Sequence, residues 1–342
     1  MRKVTVVCSI FILVLVGLSI MISPAYGQIK LNYSNFFPAP HSNAVMSVEW
    51  GKEIEKRTNG RVQVTVFPGG TLTPADKCYD GVVQGISDVC MTVASYTMGK
   101  FPLSEVLDLP LGSKTAANAT KVANEFFNKF KPKEFDDVKM MYLMAHGPGI
   151  IHTSKTPVRK LEDLKGLKIR ATGTTAKVVA ALGGTPVGMP MPETYDALSK
   201  GVAEGVICPM EALKGWKLGE VVKYSTQHYS AAYNLLFIIV MNKAKWNSIK
   251  PADQQAILKI NKEWIVKHGK NWDKIDVDGI DFIKARGNEI IALSSGESVK
   301  FANAVKPMFA EYVKEKKEKG LPAAAALKFC QDRVKQLNMM TK

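Results

Sequence analysis

Between residues 29 and 93 the chain alternates two kinds of hydrophobic pattern. "IKLNYSNF" and "RVQVTVF" place apolar residues at every second position, as with Val62, Val64 and Val66, which is the period of a β-strand; "ISDVCMTV" reads as a third strand. Between them, "HSNAVMSVEWGKEIEKRTNG" has helical spacing and is closed by Gly60, and "TPADKCYDGVVQG" reads as a helix with Pro74 in its first turn. Strand, helix, strand, helix, strand is the order of a parallel sheet with crossover helices, so the chain is predicted to be α/β.

A second set of units follows "KMMYLMAHGPGIIHTS". "LKIRAT", "TPVGMP" and "GVICP" read as strands, separated by the helical patterns "TTAKVVAALGG" and "PETYDALSKG", the latter opened by Pro192. "YSAAYNLLFIIVMN" is a continuous apolar run, expected as one long strand that is buried on both faces or passes from one lobe to another. From Pro251 to Ile291 the spacing is helical, with Ile257, Ile260, Trp264 and Ile265 recurring on one face. A helix of that length exceeds what one small lobe can pack, so it is expected to brace two. "SVKFANAVKPMFAEYVKEKKEKG" and "AAAALKFCQDRVKQL" add two further helical stretches. The division that follows is residues 28–148 plus 235–275 in lobe I and 149–234 plus 276–342 in lobe II, with a ligand cleft between them.

The opening "MRKVTVVCSIFILVLVGLSIMISPAYGQ" belongs to neither lobe. Arg2 and Lys3, an apolar run from Val4 to Ile22, and small residues at Ala25 and Gly27 form a secretory signal over residues 1–27. Cleavage is expected after Gly27, with Ala25 the other site and an uncleaved anchor helix the alternative. Export would place the protein in the periplasm.

Composition narrows the partners. A chain of 342 residues suits two domains, and 46% hydrophobic with 23% charged residues is globular. The formal net charge of +15 is spread along the chain, in segments such as "KFKPKEF" and "YVKEKKEKG" that also carry acids. No aromatic–basic stripe accompanies it, so nucleic acid is not an expected partner. Cys78, Cys90, Cys208 and Cys330 lack metal or CxxC spacing. Cys78 and Cys90 are able to pair in an oxidising compartment, but buried free thiols are the expectation for the four.

Catalytic motifs are missing: there is no Walker loop, dinucleotide GxGxxG, HExxH or GxSxG. The five histidines have no metal-ligand spacing, and neither a metal nor a cofactor is expected. His152, His228 and His268 read as surface or turn residues. His41 and His146 fall at strand ends, where ligands of open α/β sheets are met. Asp76, Asp80, Glu193 and Asp196 read as solvated helix faces. Arg170 stands apart, at the carboxyl end of "LKIRAT" beside the amino end of "TTAKVV". There a guanidinium offers a two-pronged donor to a carboxylate, supported by backbone amides. The residues alone leave open a second reading, an arginine paired with Glu211 or Asp196.

"FPAPH", "PGGTLTPADKCYDGVVQGISDV", "LEDLKGLKIRATGTTAKVVAALGGTPVGMPMPETYDALSKGVAEGV" and "MNKAKWNSIKPADQQAI" together resemble the solute-binding proteins of TRAP transporters, the DctP family. The similarity runs over essentially the whole chain after the signal. It implies a two-lobe periplasmic binding protein of class II type, a long helix across both lobes, closure on an organic acid, and delivery to a membrane permease, with a monomer as the family default. It also implies that Arg170 takes the ligand carboxylate. Two departures bear on the ligand. Relatives that bind sialic acid or dicarboxylates often have another arginine before "GLKIR", where this chain has "AHGPGIIHTS"; many have an Asn where this chain has Cys208.

The expected ligand-binding residues are therefore Arg170, Phe37, His41, Tyr96, His146, Met191, Cys208, Met210 and Tyr233, with Phe36, Met189 and Trp216 as further wall. Core packing is the competing role for each apolar member. A charged anchor with an aromatic and thioether wall points to a monocarboxylate with an apolar or aromatic body. Two other functions stay open at this point: an exported enzyme using His41 or His146 as base, and a ligand-sensing receptor module.

Overall fold

In the computed structural model, which describes residues 27–341, the strands collect into two separate sheets. Residues 1–26 of the expected signal segment lie outside the described residues. Along the chain come β1 (Ile29–Asn35), α1 (Ser42–Arg57), β2 (Val62–Phe67), α2 (Cys78–Val83), β3 (Val89–Val93), α3 (Ala116–Phe130) and β4 (Val138–Ala145). Then follow β5 (Ile150–Thr153), β6 (Lys168–Ala171), α4 (Thr174–Ala181), β7 (Thr185–Gly188), α5 (Thr194–Ser199), β8 (Gly205–Cys208), α6 (Glu211–Gly215) and β9 (Tyr224–Gln227). The chain ends with β10 (Leu236–Asn242), α7 (Lys243–Ser248), α8 (Pro251–Ala285), β11 (Glu289–Ala292), α9 (Ser295–Val305), α10 (Pro307–Glu318) and α11 (Ala323–Met340).

The first sheet has the order β2-β1-β3-β10-β4 and the second β11-β9-β5-β8-β6-β7. Each contains one strand antiparallel to both neighbours, β10 between β3 and β4, and β5 between β9 and β8. Each of these strands enters from the other sheet: β4 continues through residues 146–149 into β5, and β9 through 228–235 into β10. The two crossings touch, with Gly149 N donating to Tyr233 O at 2.8 Å. A Cβ at residue 149 would stand 2.3 Å from the Tyr233 ring, so glycine is needed for that approach.

The long apolar run is not a single strand. Tyr229–Ala231 form a 3-10 turn, and β10 begins only at Leu236. Six of its seven residues are buried without alternation, because both faces of β10 are covered. Helix α2 also starts later than expected, at Cys78. Residues 74–77 form a turn instead (Lys77 N to Pro74 O, 3.0 Å), with Thr73 held by the Ser34 hydroxyl at 2.6 Å. Cys78 and Cys90 are not free thiols: they form a disulfide between α2 and β3, their Cα atoms 5.9 Å apart. The packing of α2 on β3 brings the sulfurs together, which spacing in the chain does not reveal. Cys208 and Cys330 are free and buried, as expected.

Helix α8 spans 35 residues, about 52 Å at 1.5 Å per residue. Up to Asp273 it lies on the first sheet's helices: Trp50 donates to Asn261 at 2.9 Å, Trp264 to Met46 O at 3.2 Å, and Asp273 accepts the amides of Ala116 and Ala117 that open α3. Beyond that it lies on α6, where Asp276 accepts the Glu211 amide at 2.8 Å. Gly279 sits so close that a Cβ would be 2.1 Å from Met210 O. Pro307 divides the following helical stretch into α9 and α10. Helix α11, expected with the second lobe, packs on α3 of the first, through Arg333 to Glu125 at 2.5 Å, and on the segment before it, through Asn338 to Gly112 O at 2.8 Å. Among the described residues no helix is long and apolar enough to cross a membrane.

Candidate functional site

Arg170 is the third residue of β6, between β7 and β8, and only 1% exposed. Its Nε donates to Met189 O at 3.0 Å, while its Nη2 has no hydrogen-bond partner among the described residues. Neither acid considered as its partner takes it. Glu211 is bound to His41 at 2.5 Å, and Asp196 pairs with Lys200 at 3.2 Å on the surface. A buried guanidinium with a donor to spare is costly unless an anion completes it.

The arginine faces a small cavity between the two sheets. Phe36, Phe37 and Tyr96 wall it from the first side; Met191, Cys208, Trp216 and the crossing residue Tyr233 wall it from the second. The rings are layered, Phe36 lying 4.4 Å from Phe37 and 6.1 Å from Trp216, both stacked. Tyr96 Oη accepts the Met191 amide at 3.0 Å and so ties the first side to the second. Burial raises its phenol pKa, against the opposing pull of Arg170. The close approach of Gly173 to Ser95, where a Cβ would meet Ser95 Cβ at 2.4 Å, is another contact between the sides. These are the contacts of a closed cleft.

His146 also lines the cavity, with both ring nitrogens occupied. Nδ1 donates to Gly147 O at 2.5 Å, and Nε2 accepts from Leu235 N at 3.1 Å. Burial pushes its pKa down to about 4, so the ring is neutral. Cys208 contributes a thiol whose pKa burial raises, and it acts as apolar wall. Tyr233 donates to Ile207 O at 3.0 Å.

Three of the expected residues do not line the cavity, and the first, Met189, packs its side chain against the second lobe's core. His41 caps α1, its Nδ1 accepting from Asn43 N at 3.2 Å, so Nε2 carries the proton donated to Glu211; the ring clasps the two sides together and does not line the cavity. Met210 packs in the second lobe's core, with its carbonyl against Gly279. His41 and Met210 stand at the right strand-to-helix junctions, but capping and the α8 brace decide which way they turn. His152, His228 and His268 are buried, not superficial: they meet Ser225 Oγ at 2.8 Å, Ile151 N at 2.9 Å and Tyr142 Oη at 3.1 Å.

The sequence reading did not place Glu211, Phe237 and Trp272 on the wall, nor Val93, Pro209 and Leu235, which complete the lining. Phe237 is hidden in a uniformly apolar strand. Trp272 falls four residues after His268 and eight after Trp264, a helical stripe that gives no sign of facing a ligand. Among the described residues no group of His, Cys, Asp and Glu is arranged to hold a metal ion.

Residues 38–316 match the model of the bacterial extracellular solute-binding proteins, family 7, named DctP. A marine metagenome TRAP solute-binding protein described as specific for aromatic acid ligands, solved with metahydroxyphenylacetate, is 30% identical with a TM-score of 0.86, over 90% of this chain and 99% of that one. A Bordetella bronchiseptica TRAP periplasmic solute-binding protein with bound (R)- and (S)-mandelate is 29% identical with a TM-score of 0.85, over 90% and 99%. The 2,3-diketo-L-gulonate-binding periplasmic protein of Escherichia coli is 26% identical over 310 residues, 89% of this chain and 94% of that one. With the exchanged strands, the long brace and the buried arginine already in place, the match over most of the chain shows that it belongs to the DctP family, the solute-binding components of TRAP transporters.

Proposed function

We propose that this chain captures a monocarboxylate with an aromatic or apolar body in the periplasm, closes over it, and delivers it as a monomer to a TRAP permease in the membrane, with no role in nucleic-acid binding. The single observation that carries the reading is Arg170: buried, unpaired at Nη2, and set among aromatic rings. Its guanidinium would take the carboxylate and the rings the body, with Phe37, Tyr96, His146, Met191, Cys208 and Tyr233 as ligand contacts. Aromatic acids bound by two relatives of about 30% identity support the same class. Closure would be driven by contacts that exist only when both sides meet the ligand. Export after cleavage behind Gly27 would bring the chain to the permease. An enzyme reading finds no support in the histidines, since His41 and His146 each have both ring nitrogens engaged within the protein.

The test is a melting series on protein starting at Gln28, refolded to strip solute, against mono- and dicarboxylates with sugars and amino acids as controls. A ligand at about a hundred times its Kd stabilises the fold by about 2.7 kcal/mol. The expected result is a shift with aromatic or apolar monocarboxylates that disappears in Arg170→Ala. A larger shift with dicarboxylates overturns the ligand class, and no shift with any acid overturns the function.

A further inference from the structure

We infer that the ligand carries a hydroxyl on the part of its body remote from the carboxylate, and that Trp272 selects it; this rests on the acid-binding role proposed above. Two residues of the cavity wall carry a buried side-chain nitrogen that has no hydrogen-bond partner among the described residues, Arg170 at Nη2 and Trp272 at Nε1. Trp272 is 1% exposed. Of the other polar groups on the wall, Tyr233 donates to Ile207 O, both nitrogens of His146 meet backbone, and the Tyr96 oxygen accepts from Met191 N and lies beside Arg170. A buried N–H left unsatisfied is destabilising, and a phenylalanine would fill a hydrocarbon wall without that cost. An indole at this place is satisfied when a ligand oxygen accepts from it.

The chemistry of that oxygen follows from Glu211, which lines the same cavity. Asp276, one helical turn beyond Trp272 on α8, accepts the Glu211 amide at 2.8 Å, so the helix brings the indole and this carboxylate to one end of the site. His41 holds Glu211 Oε1. A second carboxylate on the ligand would meet Glu211 as a like charge, and a ketone would offer it no proton. A hydroxyl meets both demands, accepting from Trp272 and donating to Glu211.

Calorimetric titration of the solute-free protein with phenylacetate, 3-hydroxyphenylacetate, 4-hydroxyphenylacetate and 3-methylphenylacetate, in the wild type and in Trp272→Phe, tests this. At least one hydroxylated acid is expected to bind about tenfold or more tightly than phenylacetate and its methyl analogue. In Trp272→Phe the ratio of hydroxylated to unsubstituted affinity should shrink to within about threefold, whatever the change in phenylacetate affinity itself. Equal binding of hydroxylated and unsubstituted acids by the wild type overturns the inference while leaving the acid-binding function intact; it needs no variant to fold. A hydroxyl preference that survives Trp272→Phe overturns the role of Trp272. Failure of all four acids to bind overturns the aromatic-acid reading and this inference with it.

Discussion

A guanidinium that finishes its hydrogen bonding only through a ligand should be a burden to the empty protein. Arg170 Nε donates to Met189 O, and its buried Nη2 is unpartnered among the described residues. Replacing a buried charge with an apolar side chain of similar length is often neutral or stabilising, whereas removing a partner from it is not. Arg170→Met is therefore expected to leave the melting temperature of solute-free protein unchanged or higher, and to abolish the ligand-induced shift. A large loss of stability without ligand would mean that the arginine holds the fold and not the solute. Arg170→Lys should also lose the ligand, because an ammonium does not reproduce the planar fork.

The elements owe their positions to a few fastenings that tie sheets to helices. Cys78 and Cys90 join α2 to β3 across a separation of 12 residues. A cross-link closing a loop of that size stabilises by about 3 kcal/mol through the unfolded chain. The double variant Cys78→Ala, Cys90→Ala should thus melt several degrees lower, with ligand affinity little changed, since neither cysteine lines the cleft. An unaltered melting curve under non-reducing conditions would show the bridge to be dispensable. On the opposite side α8 is fastened by contacts and not by covalent bonds, with Asp273 capping α3 and Asp276 holding α6. One helix thereby registers the two lobes against each other, and both halves of the binding cavity depend on it.

Closure and stability belong to the assembled pair of lobes. Gly173 combines φ +48° with a Cβ position 2.4 Å from Ser95 Cβ across the cleft. Gly173→Ala adds backbone strain in either state, but the collision arises only when the lobes meet. Overpacking of about 1–3 kcal/mol at that contact opposes closure alone, so solute affinity should fall by about tenfold or more, and small-angle scattering should find the ligand-saturated variant more extended than wild type. Wild-type affinity and dimensions would remove Gly173 from the closing surface.

The pH dependence is also collective. Burial pushes His146 and His152 down to about 4 and His228 and His268 down to about 3, from 6.5. The unfolded chain then binds more protons below pH 6.5, so these groups contribute stability that is lost as pH falls from 6.5 through about 4 to about 3. Burial pushes Asp108 and Asp276 up to about 8 from 3.8, so the folded state binds the extra protons and stability is lost as pH rises toward 8. Four imidazoles outweigh two carboxyls below pH 6.5, and the carboxyls act alone above it. Melting temperature should therefore peak near pH 6.5 and decline on both sides; a maximum at pH 8 or above would contradict this.

Local pattern was enough for the α/β class, for the helices α1 and α8, and for singling out Arg170, because periodicity and a charged residue inside an apolar strand are properties of neighbouring positions. Resemblance to the family then chose between a ligand and Glu211 or Asp196 as the arginine's partner. Neither could place Trp272, 102 positions after Arg170 in the chain, on the same cavity. Nor could they turn His41 toward Glu211, bury His152, His228 and His268, or pair Cys78 with Cys90. Those outcomes depend on which groups meet when two sheets exchange strands and one helix spans both. Contacts between residues far apart in sequence have no local period to announce them; they exist only once the chain has packed.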